Sequence, residues 1–228
     1  MKLNGQIKDA APLIRKFQDI AEDKISEGRE RDHWAAFGLS RGSDWEELLE
    51  SSRILIISEA GVGKSHECRA RCSILNARGE PAFFLELASL AGSEVRRLLS
   101  PTQRSRLDAW QRSQSEVATF FLDSFDELKI TQGSFRQALL NLGNEIESQL
   151  DRVRIVVTAR PIPFDLQLFR ELLPIPDKAE TVANAQTFAR IAMGDEKKDQ
   201  QGYFDLKASS KPWRIVELLP LSDAQMSD

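Results

Sequence analysis

Cysteine is scarce in this sequence: Cys68 and Cys72 are the whole supply among 228 residues. A secreted fold stapled by disulfides is excluded on that count. The two lie four apart in a stretch that reads as a helix, so their thiols share a face, and no second pair of soft ligands accompanies them to complete a metal site. They read as small buried thiols packed against a sheet. Long apolar runs are missing as well. No segment approaches the roughly 18 apolar residues of a membrane-crossing helix. The opening MKLNGQIKDA lacks the basic-then-apolar pattern of an export signal, so a cytoplasmic location is expected. There is no excess of basic charge: 31 Lys and Arg against 35 Asp and Glu leave a formal charge of -4, which gives no global attraction to nucleic acid. Arg96, Arg97, Arg104, Arg106 and Arg112 do gather within 96–112, but the polar residues between them and the break at Pro101 read as a solvated pair of helices. Neither internal repeats nor a low-complexity tract is present.

What is there describes a globular chain. A hydrophobic fraction of 41% beside a charged fraction of 29% fits a soluble protein, and the length accommodates one α/β domain with a short N-terminal addition. Residues 10–26 carry Leu13, Ile14, Phe17, Ile20 and Ile25 at roughly helical spacing and predict an amphipathic helix. Residues 28–42 read as a loop. Asp44, with Glu47 three residues on, predicts a capped short helix whose Trp45, Leu48 and Leu49 form the apolar side. Trp34 and Trp45 are expected to pack this leader onto the following domain rather than to touch a ligand.

From residue 53 the pattern changes. RILIIS, PAFFLEL, EVATFFLD (116–123), RVRIVVTA (152–159) and a weaker WRIVEL (213–218) read as strands, with helices filling the intervals, especially 131–149 and 180–192. Short continuous apolar strands alternating with helices predict a parallel sheet covered on both faces. The polar segment 195–212 reads as a surface excursion, and LLPLSDAQMSD as a strand exit followed by a helix capped at Ser222 or Asp223.

Between the first strand and its helix stand Ser58, Glu59, Ala60, Gly61, Val62, Gly63, Lys64 and Ser65. They fit the phosphate-binding pattern G-x-x-x-x-G-K-[ST] at every required position except the first, where Ser58 replaces glycine. Successive backbone N–H groups in such a loop form an anion-binding concavity, and the helix beginning near Lys64 adds its own N–H groups and positive dipole end. Gly61 and Gly63 permit the tight backbone, Lys64 reaches the terminal phosphates, and Ser65 places its hydroxyl on Mg2+. His66 closes the candidate nucleotide-binding segment and reads as a helix-surface or neighbour-contact residue rather than a catalyst.

A second anchor is ATFFLDSFDEL (118–128), where an apolar strand ends at Asp123. An aspartate at a strand's carboxyl end enters the crevice where such sheets bind ligands, so Asp123 is expected to partner Mg2+ directly or through water. Glu127 is the candidate for orienting or deprotonating the attacking water, with Asp126 its competitor; the chemistry needs positioning and charge neutralisation more than covalent participation. In VRIVVTARP, Thr158 and Arg160 reach the end of the next strand, and Arg160 is the candidate sensor of the terminal phosphate.

Taken together, SEAGVGKS, FFLDSFDEL and VRIVVTARP resemble the nucleotide-binding core of the STAND class of P-loop NTPases, its NACHT-like branch in particular; the likeness covers residues 44–220 and is strongest over 54–160. It implies an α/β three-layer sandwich with a mostly parallel five-stranded sheet in the order 5-1-4-3-2. The division would be an N-terminal helical or linker leader at 1–43 and a core at 44–228 that stops before a helical and winged-helix region. The resemblance further implies an ATP- and Mg2+-dependent signalling NTPase, catalysing hydrolysis through Lys64, Asp126, Glu127 and Arg160. Such a protein would act as a nucleotide-controlled oligomerisation switch, in bacteria among antiphage defence sensors. Sensor and effector modules would be its partners in an intact parent, with no membrane. The alternatives are an AAA-like mechanical ATPase acting on nucleic acid, and a non-hydrolysing nucleotide-binding interaction module.

Overall fold

The computed structural model describes residues 15–20, 42–125, 132–160, 166–175 and 213–219. Its strands are β1 (Phe17–Asp19), β2 (Arg53–Ile57), β3 (Ala82–Glu86), β4 (Ala118–Phe125), β5 (Val153–Ala159) and β6 (Trp213–Leu218). Helices α1 (Trp45–Leu48), α2 (Lys64–Ala77), α3 (Leu87–Ala91), α4 (Val95–Leu98), α5 (Pro101–Arg112), α6 (Gln132–Ile146) and α7 (Leu166–Leu172) fill the intervals. The expected helical segment at 180–192, Trp34, and the expected cap at Ser222 or Asp223 lie outside the described residues.

The strands are β-branched and aromatic, as a sheet buried on both sides requires. Their side chains alternate between two cores. Leu55 and Ile57, Phe83 and Leu85, Phe120 and Leu122, and Ile155 and Val157 face one core, completed by α3, α4, α5, α6 and α7. Ile54 and Ile56, Phe121, Val156, and Val216 and Leu218 face the other, completed by Phe17, by Trp45 and Leu48 of α1, and by Cys68, Cys72 and Leu75 of α2. The period of two along each strand is what sorts them.

The expectation of a mostly parallel five-stranded sheet in the order 5-1-4-3-2 is corrected by this topology. The sheet has six strands in the order β1-β6-β2-β5-β4-β3, and it is mixed. The overturning element is β1, which pairs antiparallel with β6 through Phe17–Leu218, Gln18–Glu217 and Asp19–Val216. The pairs β6–β2, β2–β5, β5–β4 and β4–β3 are parallel.

The same strand corrects the helix expected over 10–26, for residues 17–19 are extended. Helical spacing of the apolar residues is real there, but edge pairing prevails. Without β1, β6 would present a row of unpaired N–H and C=O groups. Phe17 also exchanges backbone hydrogen bonds with Ser43, both 2.9 Å, and its ring meets Trp45 edge-on at 4.8 Å. Arg214 on β6 then fastens the edge, donating to both carboxylate oxygens of Asp19 at 3.0 and 3.1 Å and to the Ser43 hydroxyl at 2.6 Å.

Candidate functional site

The carboxyl ends of β2, β4 and β5 gather the residues singled out above. β2 delivers the chain to Ser58, whose N–H donates to Ala159 O at the end of β5 (3.2 Å). The loop then turns through Gly61 at φ 81° and Gly63 at φ 92°. A Cβ at Gly63 would meet only Arg15 Nη1, at 4.0 Å, so it is the left-handed backbone and not crowding that calls for glycine there. Glu59, Ala60 and Gly61 are exposed and Val62 is half-buried.

Gly63 is the N-cap of α2, and no side chain caps its first turn. The N–H groups of Lys64, Ser65 and His66 therefore begin a 14-residue helix with its positive dipole end at the loop. Lys64 Nζ donates back to the carbonyls of Ser58 (2.5 Å) and Glu59 (2.7 Å), curling across the loop. Ser65 Oγ donates to Asp123 Oδ1 at 2.9 Å. His66 is exposed on the helix surface.

Asp123 also accepts from Thr158 Oγ1, 2.8 Å from the same Oδ1. One nearly buried carboxylate thus joins the first turn of α2 to the end of β5 across the top of β4. The strand expected to end at Asp123 continues to Phe125, with an irregularity between Leu122 and Phe125 in its pairing with β5. Such a bulge re-aims a side chain at the rim of a sheet. Arg160 follows β5 directly and is half-buried at this same end. Asp126 and Glu127, the candidates for activating water, lie outside the described residues.

Among the described residues no cluster of three or more His, Cys, Asp or Glu could hold a metal ion. A Mg2+ that arrives with phosphate needs less: one hydroxyl and one carboxylate already touching, as Ser65 and Asp123 do, leave its other positions for phosphate oxygens and water. The donor set is hard oxygen, which suits that cation and not a soft one.

Trp45 is a buried wedge between Phe17 and Phe121, with its indole N–H donating to Glu67 Oε1 at 2.7 Å. Arg96 is engaged with Asp108 (2.6 Å) and Glu145 (2.9 Å), which ties the arginine-rich helices to α6. One residue beside the loop escaped the reading of the sequence. Arg15 is buried against it, its Nη2 donating to Val62 O (3.2 Å) and Leu219 O (2.8 Å). Nothing in APLIRKF marks that arginine, because its neighbours come from residues 47 and 204 positions away.

No protein-family model matches this chain, and no curated protein matches it. Among solved structures it is similar to ATPases 2 and 3 of Thermomonospora curvata EccC in complex with a signal sequence peptide. The identity is 14% and the TM-score 0.34, over 70% of this chain and 32% of that one, so this chain spans about a third of its length. At that TM-score the likeness carries no argument about activity. No described helix is long and apolar enough to cross a membrane.

Proposed function

We propose that this chain is a cytoplasmic, Mg2+-dependent nucleoside triphosphatase core of the STAND type, NACHT-like, with ATP as its nucleotide. The observation that carries the reading is the Ser65–Asp123 hydrogen bond of 2.9 Å, formed where an uncapped helix meets a loop with two left-handed glycines. A hydroxyl, a carboxylate, a lysine and the N–H groups of a loop and a helix start, brought to the carboxyl ends of the strands, are the chemistry that a magnesium polyphosphate requires.

In this reading the triphosphate lies in the loop 58–65 and draws Lys64 Nζ off the carbonyls of Ser58 and Glu59. Ser65 and Asp123 hold Mg2+, Thr158 orients the Asp123 carboxylate, and Arg160 senses the terminal phosphate. Glu127 or Asp126 orients the attacking water. The state of the nucleotide selects between two arrangements, which in an intact parent governs assembly with effector and sensor modules, as in antiphage defence.

Calorimetric titration of ATP and of GTP, each with Mg2+, tests the site. Wild type is expected to bind, and Lys64→Ala to bind about 10- to 100-fold more weakly through loss of a charge-assisted contact. Equal or absent binding by both folded proteins overturns the site. Binding without phosphate release in a single turnover would make the chain a nucleotide-binding module instead of an enzyme.

A further inference from the structure

The first position of the loop holds a serine with an unusual set of partners. Ser58 Oγ, nearly inaccessible, donates to Ile57 O at 2.5 Å and accepts the N–H of Leu218 at 2.9 Å. A glycine could make neither bond, and Leu218 N–H would then be left without this acceptor in a buried setting.

The next residue of β6's exit is held from the other side. Arg15, 8% exposed, donates from Nη2 to Leu219 O and to Val62 O, while Leu219 N–H donates to Lys16 O at 3.0 Å. Arg15 Nε is buried with no acceptor. Burying a guanidinium on carbonyl groups is costly, so its placement calls for a return. The peptide plane offers one. Val62 C=O and Gly63 N–H belong to the same rigid unit, so a bond that fixes the carbonyl also fixes where that N–H points. On the phosphate-binding reading, Gly63 N–H is among the groups that would face the anion. Ser58 is thus one hydrogen bond from Leu218, and Val62 is joined to the next residue, Leu219, by two hydrogen bonds that share Arg15 Nη2.

We propose that Ser58 and Arg15 are positioning residues that brace the phosphate loop against the exit of β6, so that occupancy of the loop is felt at Leu218 and Leu219. This rests on the phosphate-binding reading above. Coupling is reciprocal: if the brace favours the binding form of the loop, bound nucleotide tightens the brace by the same factor.

The test uses the whole chain as wild type, Ser58→Ala, Ser58→Thr, Arg15→Gln and Arg15→Lys. Binding of ADP with Mg2+ is measured by calorimetry, and exchange of the Leu218 and Leu219 amides is followed with and without saturating ligand. In wild type, ligand is expected to slow exchange at both amides about tenfold. Ser58→Ala and Arg15→Gln should bind about tenfold more weakly and lose that slowing even at saturation, whereas Ser58→Thr keeps it. A merely structural role would lower the melting temperature of the variants and leave the ligand-dependent slowing intact. Binding by wild type with unchanged exchange at 218–219 overturns the brace and leaves the phosphate site standing. That arm needs no variant, so a variant that misfolds does not shelter the proposal. Absence of binding by folded wild type overturns both readings.

Discussion

Single side chains carry the sharpest consequences. Asp123 Oδ1 accepts from both Ser65 and Thr158. Thr158→Val keeps the shape of its site but leaves a 4%-exposed carboxylate with one donor fewer. The expected loss is ~1–3 kcal/mol of stability, measured by urea unfolding, with weaker Mg2+-dependence of nucleotide binding. Gly63→Ala is expected to lower stability by ~1–2 kcal/mol, because φ is 92° there. The cysteines respond to burial. It pushes the Cys72 thiol up to about 11 and Cys68 well above its ordinary value, the latter reinforced by the Asp123 charge. Only the thiolate attacks a disulfide reagent. Labelling at pH 8 is therefore expected to be negligible in the folded protein and to reach both thiols once denaturant is added. Rapid labelling of the native chain would contradict the burial of α2 against the sheet.

Among the elements, α1 shows how much a short helix depends on its ends. Asp44 Oδ1 accepts the N–H of Glu47 at 3.1 Å, while the Glu47 carboxylate accepts from Ser43 Oγ at 3.0 Å and does not return to the Asp44 N–H. The expected reciprocal box is therefore half present. Four residues cannot sustain a helix alone. Trp45 in the core and Glu46 paired to Arg71 of α2 and to Arg78 at its C-cap hold it in place. Asp44→Ala is expected to cost ~1 kcal/mol. The Glu47 N–H bond first, and Lys16 in the same direction, hold the Asp44 carboxyl below its ordinary 3.8. Its stabilisation is thus present above that value and fades as pH falls through the lower, folded one. The variant should accordingly show a shallower loss of stability at the acid end, read from melting temperature against pH.

For the molecule as a whole, the join between the sheet and its far end rests on Arg53. This residue is fully buried at the start of β2, at the end opposite to the loop 58–65, and donates to the carbonyls of Leu173 (3.0 Å), Ser52 (3.0 Å), Val153 (2.7 Å) and Pro174 (2.7 Å). It knits β2, β5 and the segment after α7 without a carboxylate. Burial pulls its pKa down to about 10, so the group remains charged at neutral pH. Arg53→Lys keeps the charge but loses the planar fork, and an ammonium cannot span four carbonyls in those directions. The expected destabilisation is about 2–4 kcal/mol by denaturant titration, with nucleotide affinity of the folded fraction unchanged. A neutral result would mean that the join at 173–174 is not needed for the fold.

Local chemistry made a good part of this protein readable in advance. The runs RILII, AFFLE, VRIVVTA and WRIVEL are strands because β-branched and aromatic side chains suit a doubly covered sheet, and such runs announce themselves over five or six residues. The loop 58–65 could be located for the same reason: its glycines, lysine and serine lie together in the chain. Long-range partnership was another matter. Phe17 with Leu218, Arg15 with Val62 and Leu219, and Ser58 with Leu218 join positions 47 to 204 apart, and helical spacing around Phe17 pointed the wrong way. An edge strand of three residues has too little pattern of its own, and its conformation is set by the unpaired backbone it covers. Hydrogen bonding across a sheet depends on which segments meet, and only packing of the whole chain fixes that.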